Sequence, residues 1–385
     1  MLTNTPMSEQ KNKYRIFVSA AEPSADAHCA SLITALKESG YGFDFVGVGG
    51  PKMAEAGCKL LEVTSGKAVM IYKAFRHVIH FYGLIKRIKN YLTGNNVDLV
   101  IVCDSPAFNF HIAKAAKKAG IKTLFYVAPQ LWAWGHWRIG KLRRNCDKLC
   151  CILPFEQQWF RQRGIDAVFV GNPLLDKLDV NSSESKKYAD FKQENAKIAL
   201  MPGSRTAEID SLWLPMQRLA MRLKKKYSDA EFVTVAVDSE RQKILESRQI
   251  PGFECHYNID SVSHTAKAVD FSIVASGSAT LEVAAVGCPM VIMYQSSRIL
   301  WHLAGRWIVR TKYLSLVNIL AGRELVPEFM PYFGSIEPIA ESTELLMEDK
   351  CKLAQISSSL IELIRPLAGK EARREVAKIV IEMLC

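Results

Sequence analysis

No uninterrupted apolar run in this 385-residue chain is long enough to cross a bilayer. The opening residues, Met1 to Lys13, are polar where a secretory signal would carry an apolar core. These absences argue against a helical membrane span and point to a cytoplasmic location. Metal-binding spacing is missing as well. The ten cysteines include the close group Cys146, Cys150 and Cys151. No Cys-x-x-Cys or His-x-x-x-His completes a zinc site, so no metal is expected and the thiols read as reduced. No glycine-rich loop ends in Gly-Lys-Ser/Thr, and in Gly47-Val-Gly-Gly50 the third glycine's place is held by Lys52. ATPase and NAD readings are therefore weak, and no cofactor is expected. Short repeats and low-complexity tracts are also lacking.

What the chain has in excess is positive charge. Fifty Lys and Arg face 39 Asp and Glu, a formal net of +11, which suits an anionic partner: nucleic acid, a membrane surface or a phosphorylated substrate. Hydrophobic residues at 49% and charged residues at 23% fit a globular protein. The length exceeds one compact core, so two domains are expected.

Short apolar runs alternate with helical patterns. Arg15–Val18, Phe43–Val48, Asp98–Cys103, Thr123–Val127, Lys148–Leu153 and Ala167–Val170 read as strands, with helices around Ala30–Glu38 and Asn109–Ala119. After a polar stretch the alternation resumes at Lys197–Met201, Glu231–Val235, Phe271–Val274 and Pro289–Met293. Continuous apolar strands separated by helices predict parallel sheets covered on both faces. The expected organisation is two doubly wound, Rossmann-like α/β domains, 14–178 and 196–365, with a linker at 179–195. A final segment, 366–385, holds a helix near Glu371–Leu384 whose return to the first domain the pattern leaves open. Doubly wound sheets bind ligands at the carboxyl ends of their strands, and two facing domains form a cleft there.

Four strand ends carry candidate chemistry. Phe271–Val274 turns through Ser276-Gly277-Ser278 into the apolar helix containing Thr280 and Glu282. Such a turn presents backbone N–H groups and a positive dipole end to a phosphate, and Glu282 could reach ribose hydroxyls. A capped helix without ligand is the alternative. Pro202-Gly-Ser-Arg205 is a second strand-to-helix turn, and Arg205 is a fixed cation suited to a diphosphate. Asp104, directly after Leu99–Cys103, could take a proton from an attacking hydroxyl or simply cap the next helix. Glu22-Pro-Ser-Ala-Asp26 occupies the same place after the first strand.

Two further segments stand out. Val69 to Leu92 combines Ile71, Phe75, Val78, Ile79, Tyr82 and Ile85 at helical spacing with Lys86, Arg87 and Lys89. That pattern suits either a membrane surface or a core helix. Tyr126–Trp137 packs three tryptophans beside Arg138, Lys141, Arg143 and Arg144. Such residues stack on bases or sugars, lie at a membrane interface, or fill an interdomain seam.

Several of these pieces in order resemble the lipid-A-disaccharide synthase family of GT-B glycosyltransferases. They are Glu22–Asp26, Val48–Met53, Asp104-Ser-Pro-Ala-Phe-Asn109, Trp132-Ala-Trp134, Pro154-Phe-Glu156, Val170–Leu174, Pro202–Arg205, Ala275–Glu282 and Ser315–Arg323. The resemblance runs from about residue 14 to 335. It implies transfer of 2,3-diacylglucosamine from its UDP derivative to 2,3-diacylglucosamine 1-phosphate. The products are a β-1,6 disaccharide phosphate and UDP, with inversion at the anomeric carbon and no metal.

By motif, Asp104 resembles the base, with Glu22, Ser24 and Asp26 on the reacting side. Arg205, Ser276, Gly277, Ser278 and Thr280 would face the diphosphate, Glu282 the ribose and Asn318 the donor region. Val69, Met70, Ile71, Phe75, Val78, Ile79 and Tyr82 correspond to a patch that associates peripherally with the inner membrane's cytoplasmic face. A homodimer is compatible with the family.

This chain departs from the family at Ala25, Ala107, Gly135 and Asn172, where Gly, Asp, Arg and His are usual. Ala107 removes a second acid beside Asp104, and an altered acyl or acceptor preference is the expected consequence. Rival readings are another UDP-sugar enzyme such as a 2-epimerase, a catalytically silent lipid-binding protein, and an RNA-binding protein. The last is disfavoured because the charge is dispersed and no RRM or KH signature is present, so no nucleic-acid partner is expected.

Overall fold

Four helices of the first half open on proline, at Pro23, Pro51, Pro106 and Pro154. At a first helical turn the missing N–H costs nothing and the fixed φ is already helical. Each proline therefore turns a strand end directly into a helix. The apolar pattern starts the first helix near Ala30, but Pro23 starts it a full loop earlier.

The computed structural model describes residues 13–64, 74–176, 178, 180, 183–259, 261–298, 301–302, 309 and 311–385, and of residues 74–80 the backbone alone. The chain divides into two compact units, Met1–Asp176 with Lys370–Cys385, and Lys177–Gly369.

In the first unit, β1 (Tyr14–Ala20), β2 (Phe43–Gly49), β3 (Lys59–Val63), β4 (Leu99–Cys103), β5 (Lys122–Tyr126), β6 (Lys148–Cys151) and β7 (Ala167–Phe169) form one sheet. Its order is β3-β2-β1-β4-β5-β6-β7, and every pair is parallel. The intervening helices are α1 (Pro23–Glu38), α2 (Pro51–Glu55), α3 (Ala74–Gly94), α4 (Pro106–Lys118), α5 (Ile139–Asn145) and α6 (Pro154–Arg161). All five residues of β4 are buried, as a strand covered on both faces requires. The terminal helix Ala372–Leu384 belongs to this unit. Its Val376, Ile379 and Val380 join Ile16, Val18, Leu32 and Ile33 in one core. Its first turn is held by Asp176, which accepts from the N–H groups of Ala372 (2.9 Å) and Arg373 (3.2 Å).

The second unit repeats the scheme with β8 (Lys197–Met201), β9 (Glu231–Ala236), β10 (His256–Ile259), β11 (Phe271–Ala275), β12 (Met290–Met293) and β13 (Glu328–Phe329), in the order β10-β9-β8-β11-β12-β13. All pairs are again parallel. Helices α7 (Thr206–Lys226), α8 (Ser239–Ser247), α9 (Val262–Ala268) and α10 (Ala279–Ala285) connect the strands. The polar stretch expected as a linker is fastened to this unit over its described part. Tyr188 and Phe191 are buried, the Tyr188 hydroxyl donates to the Asp270 carbonyl (2.7 Å), and the Lys186 N–H donates to Ser357 Oγ (2.8 Å).

Strands β3, β10 and β13 have no counterpart in the apolar pattern. All three are edge strands whose side chains are mostly half-buried or exposed, so their sequences lack a continuous apolar run. No described helix is long and apolar enough to cross a membrane.

Candidate functional site

In each sheet the strand order reverses once, between β1 and β4 and between β8 and β11. Neighbouring loops diverge to opposite faces at such a point, and the crevice beyond the strands' carboxyl ends is where doubly wound folds take ligands. In the first unit Ala20 pairs with Cys103, which places Glu22 and Asp104 just past the two ends. In the second, Met201 pairs with Val274, which places the turns Pro202–Arg205 and Ser276–Ser278 just past theirs.

Asp104 and Ser105 both have left-handed backbone, with φ of 50° and 43°. Val127, after the neighbouring β5, is also left-handed at 62°. These are the non-glycine residues of positive φ among the described residues. Such conformations cost energy in L-residues, most of all in a β-branched one, and persist only where the surroundings enforce them.

Here the enforcement is visible. The Asp104 N–H donates to the Tyr126 carbonyl (3.0 Å). The buried Asn109 amide donates to the carbonyls of Cys103 (2.8 Å) and Asp104 (2.7 Å), and its own oxygen accepts from the buried Ser19 hydroxyl (2.7 Å). Ser105 Oγ donates to Glu22 Oε1 at 3.3 Å, tying the two loops together. Ser24 is exposed on the first turn of α1. Ser19 and Asn109 were assigned no role from the sequence; the available signal was a lone serine inside the apolar strand Phe17-Val18-Ser19-Ala20.

Asp26 is engaged within its own unit. Its side chain is buried and accepts from the N–H groups of Gly50 (2.8 Å), Met53 (3.0 Å) and Lys52 (3.2 Å). The carboxylate caps α2 and braces the Gly49–Gly50 turn.

In the second unit, Gly203 has φ 101°, and a Cβ there would meet Glu208 Oε2 at 2.3 Å. Glycine is required because Glu208 folds back over the turn. Its Oε2 accepts from the N–H groups of Ser204 (2.9 Å) and Arg205 (3.1 Å), and its Oε1 lies 3.3 Å from the Arg205 guanidinium. The Arg205 side chain is 70% exposed. At the other turn Gly277 and Ser278 are exposed and Ser276 is half-buried. Glu282 lies in the first turn of α10.

Thr280 and Asn318 are likewise engaged within their own unit. The buried Thr280 hydroxyl donates to the Gly277 carbonyl at 2.7 Å, so it holds the turn's shape from beneath. Asn318 is fully buried. Its amide donates to Val326 O (2.8 Å) and Glu328 Oε2 (2.9 Å), and its oxygen accepts from the N–H groups of Leu325 (2.8 Å) and Val326 (3.1 Å). Every hydrogen-bonding position on that nitrogen and oxygen is used. Asn318→Ala should therefore lower unfolding stability by about 2–4 kcal/mol in urea melts, the cost of orphaning several buried partners. A raised donor KM without loss of stability would instead make Asn318 a donor contact.

Of the expected membrane patch, Val69, Met70 and Ile71 lie outside the described residues, as do the side chains of Phe75, Val78 and Ile79. Tyr82 is described, and is 60% exposed.

A buried acid supports the tryptophan block. Glu156 accepts from the Trp132 indole N–H (2.9 Å) and from the N–H groups of Leu153 (3.0 Å) and Ile152 (3.1 Å). Burial nevertheless outweighs those three donors and raises its pKa to about 7. Because the folded-state value lies above the unfolded one, the stabilisation is complete below the unfolded pKa and is lost as pH rises through about 7. The melting temperature should fall between pH 5 and pH 8, and Glu156→Gln should flatten that fall relative to the parent at each pH. Equal slopes in both proteins would refute the assignment. His28 works in the opposite sense. Burial, with a smaller contribution from Lys52, lowers its pKa to about 4, so its stabilisation is lost as pH falls.

Two wholly parallel sheets, each with polar loops at its point of reversal, define the GT-B class of two-domain α/β proteins. Solved structures share this fold. The glycotransferase of kitacinnamycin superposes with a TM-score of 0.63 at 13% identity, covering 97% of this chain and 99% of that one. The UDP-GlcNAc 2-epimerase of Neisseria meningitidis, bound to UDP-GlcNAc, gives 0.58 at 14% identity over the same shares. The family model described as lipid-A-disaccharide synthetase matches residues 16–383. The lipid-A-disaccharide synthase of Trichlorobacter lovleyi is 32% identical over 377 residues, 96% of this chain and 97% of that protein. The chain belongs to the lipid-A-disaccharide synthase family, and it is a glycosyltransferase of lipid A biosynthesis.

Proposed function

We propose that the protein transfers 2,3-diacylglucosamine from its UDP derivative to the 6-hydroxyl of 2,3-diacylglucosamine 1-phosphate, with inversion. The observation that carries this reading is that both sheets present the proposed residues at their own points of strand-order reversal. The first unit takes the acceptor and the second the nucleotide sugar.

In the proposed step Asp104 accepts the proton of the acceptor hydroxyl while its oxygen attacks the anomeric carbon. The bond from that carbon to the diphosphate oxygen breaks, and its electron pair leaves with UDP. Arg205 and the N–H groups of the Ser276–Ser278 turn meet the developing negative charge, and Glu282 takes the ribose hydroxyls. Glu22, linked to the Asp104 loop through Ser105, lines the acceptor side. Residues 69–82 and the net positive charge hold the protein at an anionic bilayer surface, where diacylated substrates reside.

The test is incubation with both acylated substrates and mass analysis of the lipid product. A β-linked disaccharide phosphate, formed together with UDP only when both substrates are present, is the expected result. An epimerised UDP-sugar, or UDP released without a lipid product, would refute the reading.

A further inference from the structure

The loop after β5 carries a surface that this mechanism does not use. Trp134 and Trp137 are 41% and 57% exposed, although indoles ordinarily bury. The Arg138 guanidinium lies over both, 5.5 Å and 5.8 Å from the ring centroids. Among the described residues no carboxylate pairs with Arg138, Lys141, Arg143 or Arg144. Two exposed indoles and four cations without a carboxylate partner, all within eleven residues, form an amphipathic surface that suits an anionic ligand with an apolar face.

The ledge is also held rigidly. Gly135, at φ 79°, supplies the turn between the two tryptophans. Leu131, Trp132 and Ala133 are buried beneath it. Trp132 is pinned by the Glu156 carboxylate and packs edge-on against Phe155 at 4.9 Å. The loop's root is shared with the Asp104 elbow, because the carbonyl that ends β5 accepts the Asp104 N–H. A platform fixed to the same backbone as the proposed base suits a ligand that must be oriented toward that base.

We infer that Trp134, Trp137 and Arg138 form the subsite for the acceptor's sugar 1-phosphate. The indole faces receive the C–H face of the glucosamine ring, and the guanidinium forks onto the phosphate oxygens. The inference rests on the acceptor proposed above. A phosphate beside an apolar body is equally the chemistry of an anionic lipid headgroup, so the experiment separates those two sources.

Binding of diacylglucosamine 1-phosphate and of its 1-hydroxyl counterpart is measured by calorimetry in neutral detergent micelles, alongside steady-state kinetics and co-sedimentation with phosphatidylglycerol vesicles. Arg138→Gln should weaken binding of the phosphate acceptor, and raise its KM, about tenfold or more, as loss of a charge-assisted contact does. The hydroxyl acceptor, the donor KM and kcat should hardly change. Arg138→Lys should recover part of the loss, since charge remains but the fork does not. Trp134→Ala and Trp137→Ala should weaken both acceptors alike.

Equal effects of Arg138→Gln on the two acceptors would overturn the subsite. So would a loss confined to vesicle binding, which would assign the ledge to the bilayer. Absence of transfer by the parent protein would sink the proposed reaction instead, and the binding arm would still decide the subsite.

Discussion

Asp104→Asn lowers kcat by roughly 10²–10⁴-fold, the contribution of a positioned general base, and leaves the melting temperature unchanged. The two halves of this expectation come from different features of the same residue. The amide has the carboxylate's shape and can still orient the acceptor hydroxyl, but it cannot take the proton. Asparagine is among the few residues at ease in left-handed backbone, so the φ of 50° at this position costs the variant nothing. Asp104→Ala mixes the two effects, because alanine in that conformation strains the elbow. Near-normal turnover in Asp104→Asn, with the fold verified by melting, would end its assignment as base. Asn109→Ala offers a graded companion. It removes the two donations that hold the elbow's carbonyls, so kcat should fall more than KM changes.

Arg205→Gln should cost roughly 10²–10³-fold in kcat, the usual price of removing one donor aimed at developing charge. Stability should barely move. The side chain is 70% exposed, and its 3.3 Å pairing with Glu208 is a surface ion pair of the kind that contributes little. The pairing has a kinetic meaning, however. Glu208 already occupies the Ser204 and Arg205 N–H groups, so a diphosphate bound as proposed would compete with a resident carboxylate for this turn. Arg205→Lys should restore a fraction of the rate, because the charge survives while the bidentate geometry is lost. Unaltered turnover in Arg205→Gln would remove it from the donor site.

The alternation of strands and helices was legible because buried parallel strands such as Leu99–Cys103 and Phe271–Ala275 must be continuously apolar. The edge strands escaped because half-exposed strands need not be. The carboxyl-end position of Asp104, Arg205 and the Ser276–Ser278 turn could likewise be read from the strand that precedes each. What could not be read was which polar residues were already spent. Asp26 is satisfied by N–H groups of residues 50–53, and Asn318 by groups of residues 325–328. Composition does not distinguish a free carboxylate or amide from one saturated by partners brought in by the fold. The Ser19–Asn109 contact spans 90 residues, and the positive φ values of Ser105 and Val127 leave no trace in residue type.

The terminal helix bears on how the molecule is made. Ala372, Val376 and Val380 are buried in the same core as Ile16, Val18 and Leu36. A nascent chain therefore exposes β1 to β7 long before the helix that seals them has been synthesised. Everything from Lys177 to Gly369 is translated in between and can close its own core first, reversing the usual order in which the amino-terminal domain matures ahead of the rest. During that interval the apolar residues of α1 that share this core, Leu32, Ile33 and Leu36, lack the cover of the terminal helix. Lesions in Ala372–Leu384 should then appear as lost protein in the cell, even though the helix supplies no residue to the proposed chemistry.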